Sequence, residues 1–201
     1  MMQINLVLGS SREKSLGRRV FNYLKNRRHD FEQQNAVHLN FLAVGDYQLP
    51  FFYEDVAPMN NQDRHLPAQQ QAWLDDMEQA SGYIFITPEY NHSFPAVLKN
   101  GLDYLAFQTA KKPALIMSYS DNARAGQFGG VDLTPVLTRL GMTVLPPLVG
   151  IGNVQKNFNE AGEFLENAPS KDFYHQKLQQ TVEKIASYSR LFADNPFTPQ
   201  S

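Results

Sequence analysis

The stretch Ile4-Asn5-Leu6-Val7-Leu8, ended by Gly9-Ser10-Ser11, is a short apolar run closed by turn residues. Such a run predicts a strand covered on both faces, with Asn5 as its one polar interruption. From Leu16 the period changes. Val20, Phe21 and Leu24 share one helical face, while Arg18, Arg19, Lys25 and Arg28 lie mostly elsewhere. The same alternation recurs downstream. Val37, Leu39 and Phe41 alternate with His38, Asn40 and Leu42 as a second strand, and Tyr83–Ile86 and Ala114–Met117 form the third and fourth. Val144 and Leu145 begin a fifth, which Pro146-Pro147 cuts short. Helices are predicted between them: one opened by Pro67 and closed by Gly82, one with Ser93 as cap and Pro95 in its first turn, and one through Val136, Leu137 and Leu140. A last amphipathic helix runs from Phe173 to Phe192. This order predicts a doubly wound, mostly parallel α/β sheet with helices on both faces.

Right-handed crossovers in such a sheet bring the loops at the strand C-termini to one edge, where ligands bind. The loops in question are Gly9–Ser15, Thr87–Ser93 and Ser118–Gly130. In the first, Gly9 permits a tight turn, Ser10 and Ser15 offer hydroxyls, and Arg12 offers a charged fork beside a helix N-terminus. That set suits one terminal phosphate monoester; the competing reading is a plain helix cap with a surface Arg. The loop is neither a Walker loop nor a Gly-x-Gly-x-x-Gly dinucleotide turn. In the second, Pro88 and Pro95 stiffen the backbone, and Tyr90 and His92 supply flat surfaces or donors.

The chain has 201 residues, which fits one domain over 1–193 with a tail at 194–201, a loose arm or a dimer contact. Hydrophobic residues make up 42% and charged residues 19%, a globular balance. The net charge of −2 gives no reason to expect nucleic acid or an anionic membrane as partner. The basic cluster Arg18, Arg19, Lys25, Arg27 and Arg28 reads as a solvated helix face. There is no cysteine, so any redox chemistry must sit on a bound cofactor. With no apolar run near the ~20 residues of a membrane span and no leader-like N-terminus, a cytoplasmic protein is expected. The histidines His29, His38, His65, His92 and His175 show no metal spacing.

Gly9-Ser10-x-Arg12-x-x-Ser15, followed by Pro88-Glu89-Tyr90-Asn91-x-Ser93-x-Pro95-x-x-Leu98-Lys99-Asn100-x-Leu102-Asp103, resembles the NADPH-dependent FMN reductase family. That family includes quinone, azo-dye and chromate reductases on a flavodoxin-like fold. The likeness covers roughly Gln3 to Gly150. It implies a five-stranded parallel sheet in the order 2-1-3-4-5, FMN as cofactor, and NAD(P)H as co-substrate. It implies ping-pong hydride transfer through the flavin N5 to a small-molecule electron acceptor, in a homodimer or homotetramer. Ser10, Arg12 and Ser15 would hold the FMN phosphate, and Pro88, Glu89, Tyr90 and Asn91 would line the isoalloxazine ring. Lys99, Asn100 and Asp103 would be helix and dimer-packing residues, with no catalytic side chain required.

In the third loop Ser118 and Gly129-Gly130 match the family's turn, with Ser118 as a further cofactor contact, whereas Tyr119–Phe128 departs from it. Arg124 reads either as a solvated side chain or as a contact for a nicotinamide-dinucleotide phosphate. Phe51, Phe52 and Tyr53, in the long segment Asp46–Pro67, either close an acceptor pocket or anchor their loop. The rival functions are a flavodoxin-type electron carrier and a flavin-free interaction protein on the same fold. Carriers tend to be strongly acidic with a Thr/Gly-rich phosphate loop, and this chain has neither feature. Ser11-x-x-Lys14 and Ser120-Asp121-Asn122 imitate penicillin-recognising motifs, but no Lys-Thr-Gly accompanies them.

Overall fold

A strand buried from Ile4 to Leu8 must be covered above and below, and the computed structural model, which describes residues 1–61 and 63–196, places it inside a parallel sheet. The elements run β1 (Met2–Leu8), α1 (Leu16–Asn26), α2 (Arg28–Asn35), β2 (Val37–Ala43), α3 (Ala68–Gln79), β3 (Gly82–Pro88) and α4 (Ala96–Asp103). They continue as β4 (Pro113–Tyr119), α5 (Gln127–Arg139), β5 (Thr143–Val144), β6 (Val149–Ile151), α6 (Val154–Asn157) and α7 (Lys171–Asp194). The strand order is β2-β1-β3-β4-β5, all parallel, and β6 also pairs with β4. The expected order 2-1-3-4-5 is present, with a sixth strand added. Its origin is local. Pro146 and Pro147 have no N–H to donate, so the edge strand stops after Val144 and resumes at Val149, opposite Met117.

The two sheet faces carry separate cores. Val20, Phe21 and Leu24 of α1 and Leu178, Val182 and Ile185 of α7 cover Ile4, Leu6 and Leu8 on one face. On the other, Trp73 and Met77 of α3, Leu98 and Leu102 of α4 and Leu133 and Leu137 of α5 cover Val7 and Phe85. Asn5 is fully buried yet satisfied: its Nδ2 donates to the Asp76 carbonyl at 2.7 Å, and its Oδ1 accepts from Gln3 and Asn40.

Within the basic cluster Lys25 is exposed as expected, but Arg19, Arg27 and Arg28 are paired rather than solvated. The first helix ends at Asn26, and Arg28 belongs to α2, where it pairs with Glu32 at 2.7 Å. Arg19 donates to the Phe158 carbonyl at 2.8 Å, and Arg27 holds Glu163 at 2.7 Å while lying 4.0 Å from the centre of the Tyr23 ring. Asn22 and Asn26 donate to the carbonyls of Glu160 and Ala161, so the segment after α6 straps the outer side of α1. A Cβ at Gly162 would stand 2.4 Å from the Tyr23 amide, and its φ of +85° favours glycine. The Tyr174 hydroxyl of α7 clasps Gly152, donating to its carbonyl at 2.8 Å and accepting from its N–H at 3.0 Å.

Asn100 is buried and binds the chain ahead of it, not a surface. Its Nδ2 donates to the Pro50 carbonyl at 2.8 Å, and its Oδ1 accepts the Phe52 N–H at 2.8 Å. Of the aromatic trio, Phe52 packs edge-on against Tyr104 and anchors the loop, whereas Phe51 and Tyr53 are 81% and 72% exposed. Lys99 and Asp103 pair with each other on the exposed side of α4. The helix expected to end at Phe192 continues to Asp194, and residues 197–201 of the expected tail lie outside the described residues. No described helix is long and apolar enough to cross a membrane.

Candidate functional site

The loops after β1, β3 and β4 meet at the carboxyl edge of the sheet around a cleft of about 350 Å³. The first loop is coiled by its own side chains. The Arg12 N–H donates to Ser10 Oγ at 3.3 Å, the Ser15 N–H to the Arg12 carbonyl at 3.1 Å, and Ser15 Oγ caps α1 by accepting the Arg18 N–H at 3.3 Å. Ser10 and Ser15 are buried and Arg12 is exposed, so the hydroxyls face inward and the cation stays at the mouth.

The second loop is a tight hairpin. Tyr90 and Ser93 exchange backbone hydrogen bonds of 2.7 and 3.1 Å, while Asn91 and His92 both take left-handed φ, at 51° and 65°. Two successive positive φ values are the mark of a type I′ turn. Ser93 does not cap α4 as the sequence predicts; its hydroxyl donates to the Asp132 carboxylate of α5, and Pro95 stands just ahead of the helix. The Tyr90 hydroxyl lies 3.3 Å from Ser10 Oγ, and the Arg12 guanidinium stands 5.9 Å from the centre of the Tyr90 ring. Tyr90 thus joins the first loop to the second.

The third loop begins at Tyr119. Its ring lies so tightly over the first turn of α1 that a Cβ at Gly17 would be 2.3 Å from two ring carbons. Burial pushes the Tyr119 phenol well above its ordinary range, so the group remains a neutral donor in water of any ordinary pH. Ser10, Ser15 and the Gly17 amide pull the other way, yet none forms a hydrogen bond of good geometry with it, and the buried hydroxyl has no partner among the described residues. A hydrogen bond needs alignment as well as proximity.

Arg12, Ser15, Pro88, Glu89 and Tyr90 line the cleft as the sequence predicts, and Ser10 reaches it through Tyr90. Asn91 sits at the exposed tip of the hairpin and does not line it. Ser118 is buried on β4 under Gly130, whose added Cβ would stand 3.2 Å from that of Ser118, and its hydroxyl also has no partner among the described residues. Lys14, Leu16, Tyr119, Ser120 and Asp121 line the cleft without having been singled out. Tyr119 had a signal in the chain itself: Gly17 falls two residues after a helix cap, where nothing local calls for glycine. Arg124 is exposed, its N–H bonded to Asn122 Oδ1 at 2.9 Å.

The model of the family described as NADPH-dependent FMN reductase matches residues 2–156. This chain belongs to that family. The reductase is 27% identical to an NAD(P)H-dependent FMN reductase of Schizosaccharomyces pombe, over 96% of this chain and 92% of that one. It is 27% identical to a quinone reductase of Pseudomonas putida, over 94% and 95%. Among solved structures it is similar to FerB of Paracoccus denitrificans, a flavoenzyme NAD(P)H:(acceptor) oxidoreductase, with a TM-score of 0.73 at 20% identity over 94% of this chain and 98% of that one. The reductase is therefore an oxidoreductase on a flavodoxin-like fold.

The cleft fits the phosphate of such a cofactor on structural grounds. A neutral Tyr119 donor with no partner among the described residues, two inward serine hydroxyls and the exposed cations Arg12 and Lys14 form a donor set for a small anion.

Proposed function

We propose that this reductase holds FMN along the carboxyl edge of its sheet and passes electrons from NAD(P)H to small acceptors such as quinones, azo compounds, free flavins or metal oxyanions. The observation that carries this reading is the Tyr119 hydroxyl, without a partner among the described residues, facing a loop already arranged to receive an anion. When bound, FMN supplies the ring that takes up and gives out the electrons. The chain supplies position and charge. Ser10, Arg12, Ser15 and Tyr119 grip the phosphate, while Pro88, Glu89 and Tyr90 present backbone groups to the ring edge, with Ser118 beneath. No side chain in the cleft is assigned as a general acid or base.

The relatives' names support flavins and quinones among these acceptors: one is called an FMN reductase, another a quinone reductase. A cytoplasmic homodimer or homotetramer is part of the same proposal. The groove formed by Leu102, Pro135, Val136 and Leu140, rimmed by Lys99, Asp103 and Arg139, supports a second copy as its occupant. Sedimentation at micromolar concentration would return a single monomeric species if that were wrong.

Anaerobic NADPH added to the FMN-loaded protein is expected to bleach the flavin absorbance stoichiometrically, and an added quinone to restore it. A protein that holds FMN but leaves NADPH unconsumed is an electron carrier, and the enzymatic reading fails. Tyr119→Phe removes one hydrogen bond to a charged acceptor, about 1.5–3 kcal/mol, so FMN affinity is expected to fall by roughly ten- to a hundredfold. Riboflavin affinity, which involves no phosphate, stays level in the same titration.

A further inference from the structure

Helix α5 begins without a cap of its own. Its N-cap is Gly126, in left-handed conformation at φ 65°, and its first turn holds no acidic residue. A free helix N-terminus leaves N–H groups unpaired and favours a nearby negative charge. Both needs are met from another loop. The Glu89 carboxylate accepts the Phe128 N–H at 3.1 Å, the second helical position, where an N-cap side chain normally bonds.

The surrounding contacts make this a docked joint. A Cβ at Gly129 would stand 2.7 Å from the Pro88 carbonyl oxygen and 3.0 Å from Glu89 Cα, so the helix start lies directly on the second loop. His92 and Phe128 meet edge to face at 5.0 Å, and Ser93 donates to Asp132 one turn along α5. We infer that Glu89 is a positioning residue: its carboxylate caps α5 in trans and locks the 119–128 loop to the 88–93 hairpin, so that both walls of the cleft are set as one body. What the joint requires first of Glu89 is an acceptor oxygen at full side-chain length; its charge, which also faces His92 Nδ1 at 3.5 Å, adds less.

Three substitutions separate these requirements. Glu89→Gln keeps an acceptor oxygen at the same reach and loses the charge; Glu89→Asp keeps the charge and shortens the reach by one methylene; Glu89→Ala loses both. In the FMN-free full-length protein, amide hydrogen exchange at Phe128, Gly129 and Gly130 is expected to speed up about tenfold in Glu89→Ala and Glu89→Asp and to stay within about threefold of wild type in Glu89→Gln, the scale of a lost cap. FMN affinity, which rests on the proposed cofactor site, is expected to follow the same order. Unchanged exchange in Glu89→Ala overturns the inference, as does Glu89→Gln behaving like Glu89→Ala, which would make the charge the operative feature. If Glu89→Ala does not fold, the contrast between Gln and Asp decides alone. Wild-type protein that takes up no FMN defeats the proposed function and leaves the exchange result to judge the cap.

Discussion

Replacing Arg12 and Ser10 together by alanine is expected to weaken FMN binding by roughly ten- to a hundredfold, with riboflavin binding little changed. Arg12 contributes the only charged hydrogen-bond fork of its loop, and losing a charge-assisted bond costs about 1.5–3 kcal/mol. Ser10 contributes twice, through its hydroxyl and through the contacts that place the Arg12 amide and the Tyr90 ring. The measurement is quenching of flavin fluorescence on titration into apoprotein, run in parallel with FMN and riboflavin. Equal affinity for the two flavins in the wild-type protein would remove the phosphate assignment altogether. A parallel loss for both in the double variant would instead place these residues against the ring.

Gly17→Ala is expected to destabilise the protein by about 1–2 kcal/mol and to weaken FMN retention. Two effects oppose each other. Alanine in a helix is favoured over glycine by roughly 0.5–1 kcal/mol, whereas forcing an extra carbon into filled space costs about 1–3 kcal/mol. Here the new Cβ would fall 2.3 Å from the Tyr119 ring, a distance at which something must move, so the crowding wins. Thermal denaturation should show a fall of roughly 2–8 °C for a domain of this size. In a Tyr119→Ala background the crowding is gone, and Gly17→Ala should become neutral or mildly stabilising. A Gly17→Ala protein that melts higher than wild type while Tyr119 is present would show that the ring has no fixed seat.

Much of this architecture was legible because parallel strands leave an unambiguous trace. Residues Tyr83–Ile86 and Ala114–Met117 are apolar without alternation, which only a two-sided burial explains, and the three loops at the carboxyl edge follow from topology alone. What was not legible depends on partners distant in the chain. Nothing near Arg27 announces Glu163, so the arginines looked solvated. Ser93 precedes a helix as a cap does, yet Asp132 outcompetes the helix for its hydroxyl. The edge strand looked finished at Pro146-Pro147, because a period-based reading does not foresee a strand resuming on the same neighbour after an interruption. Asn100 matched a motif and its burial was hidden, since its partners Pro50 and Phe52 lie in a segment without regular period.

The strap laid along α1 by the chain beyond α6 has a bearing on where this protein can be cut. The family match stops at residue 156, yet the ring of Phe158, the carboxylate of Glu163 and the tight bend at Gly162 all rest on the helix whose first turn faces the cleft. A shortened version ending at the family boundary would strip the outer flank of that helix and bare Tyr23. The smallest self-sufficient piece of this protein is therefore longer than the portion the family model matches, and the anion grip at the front is braced by residues at the back that lie beyond it.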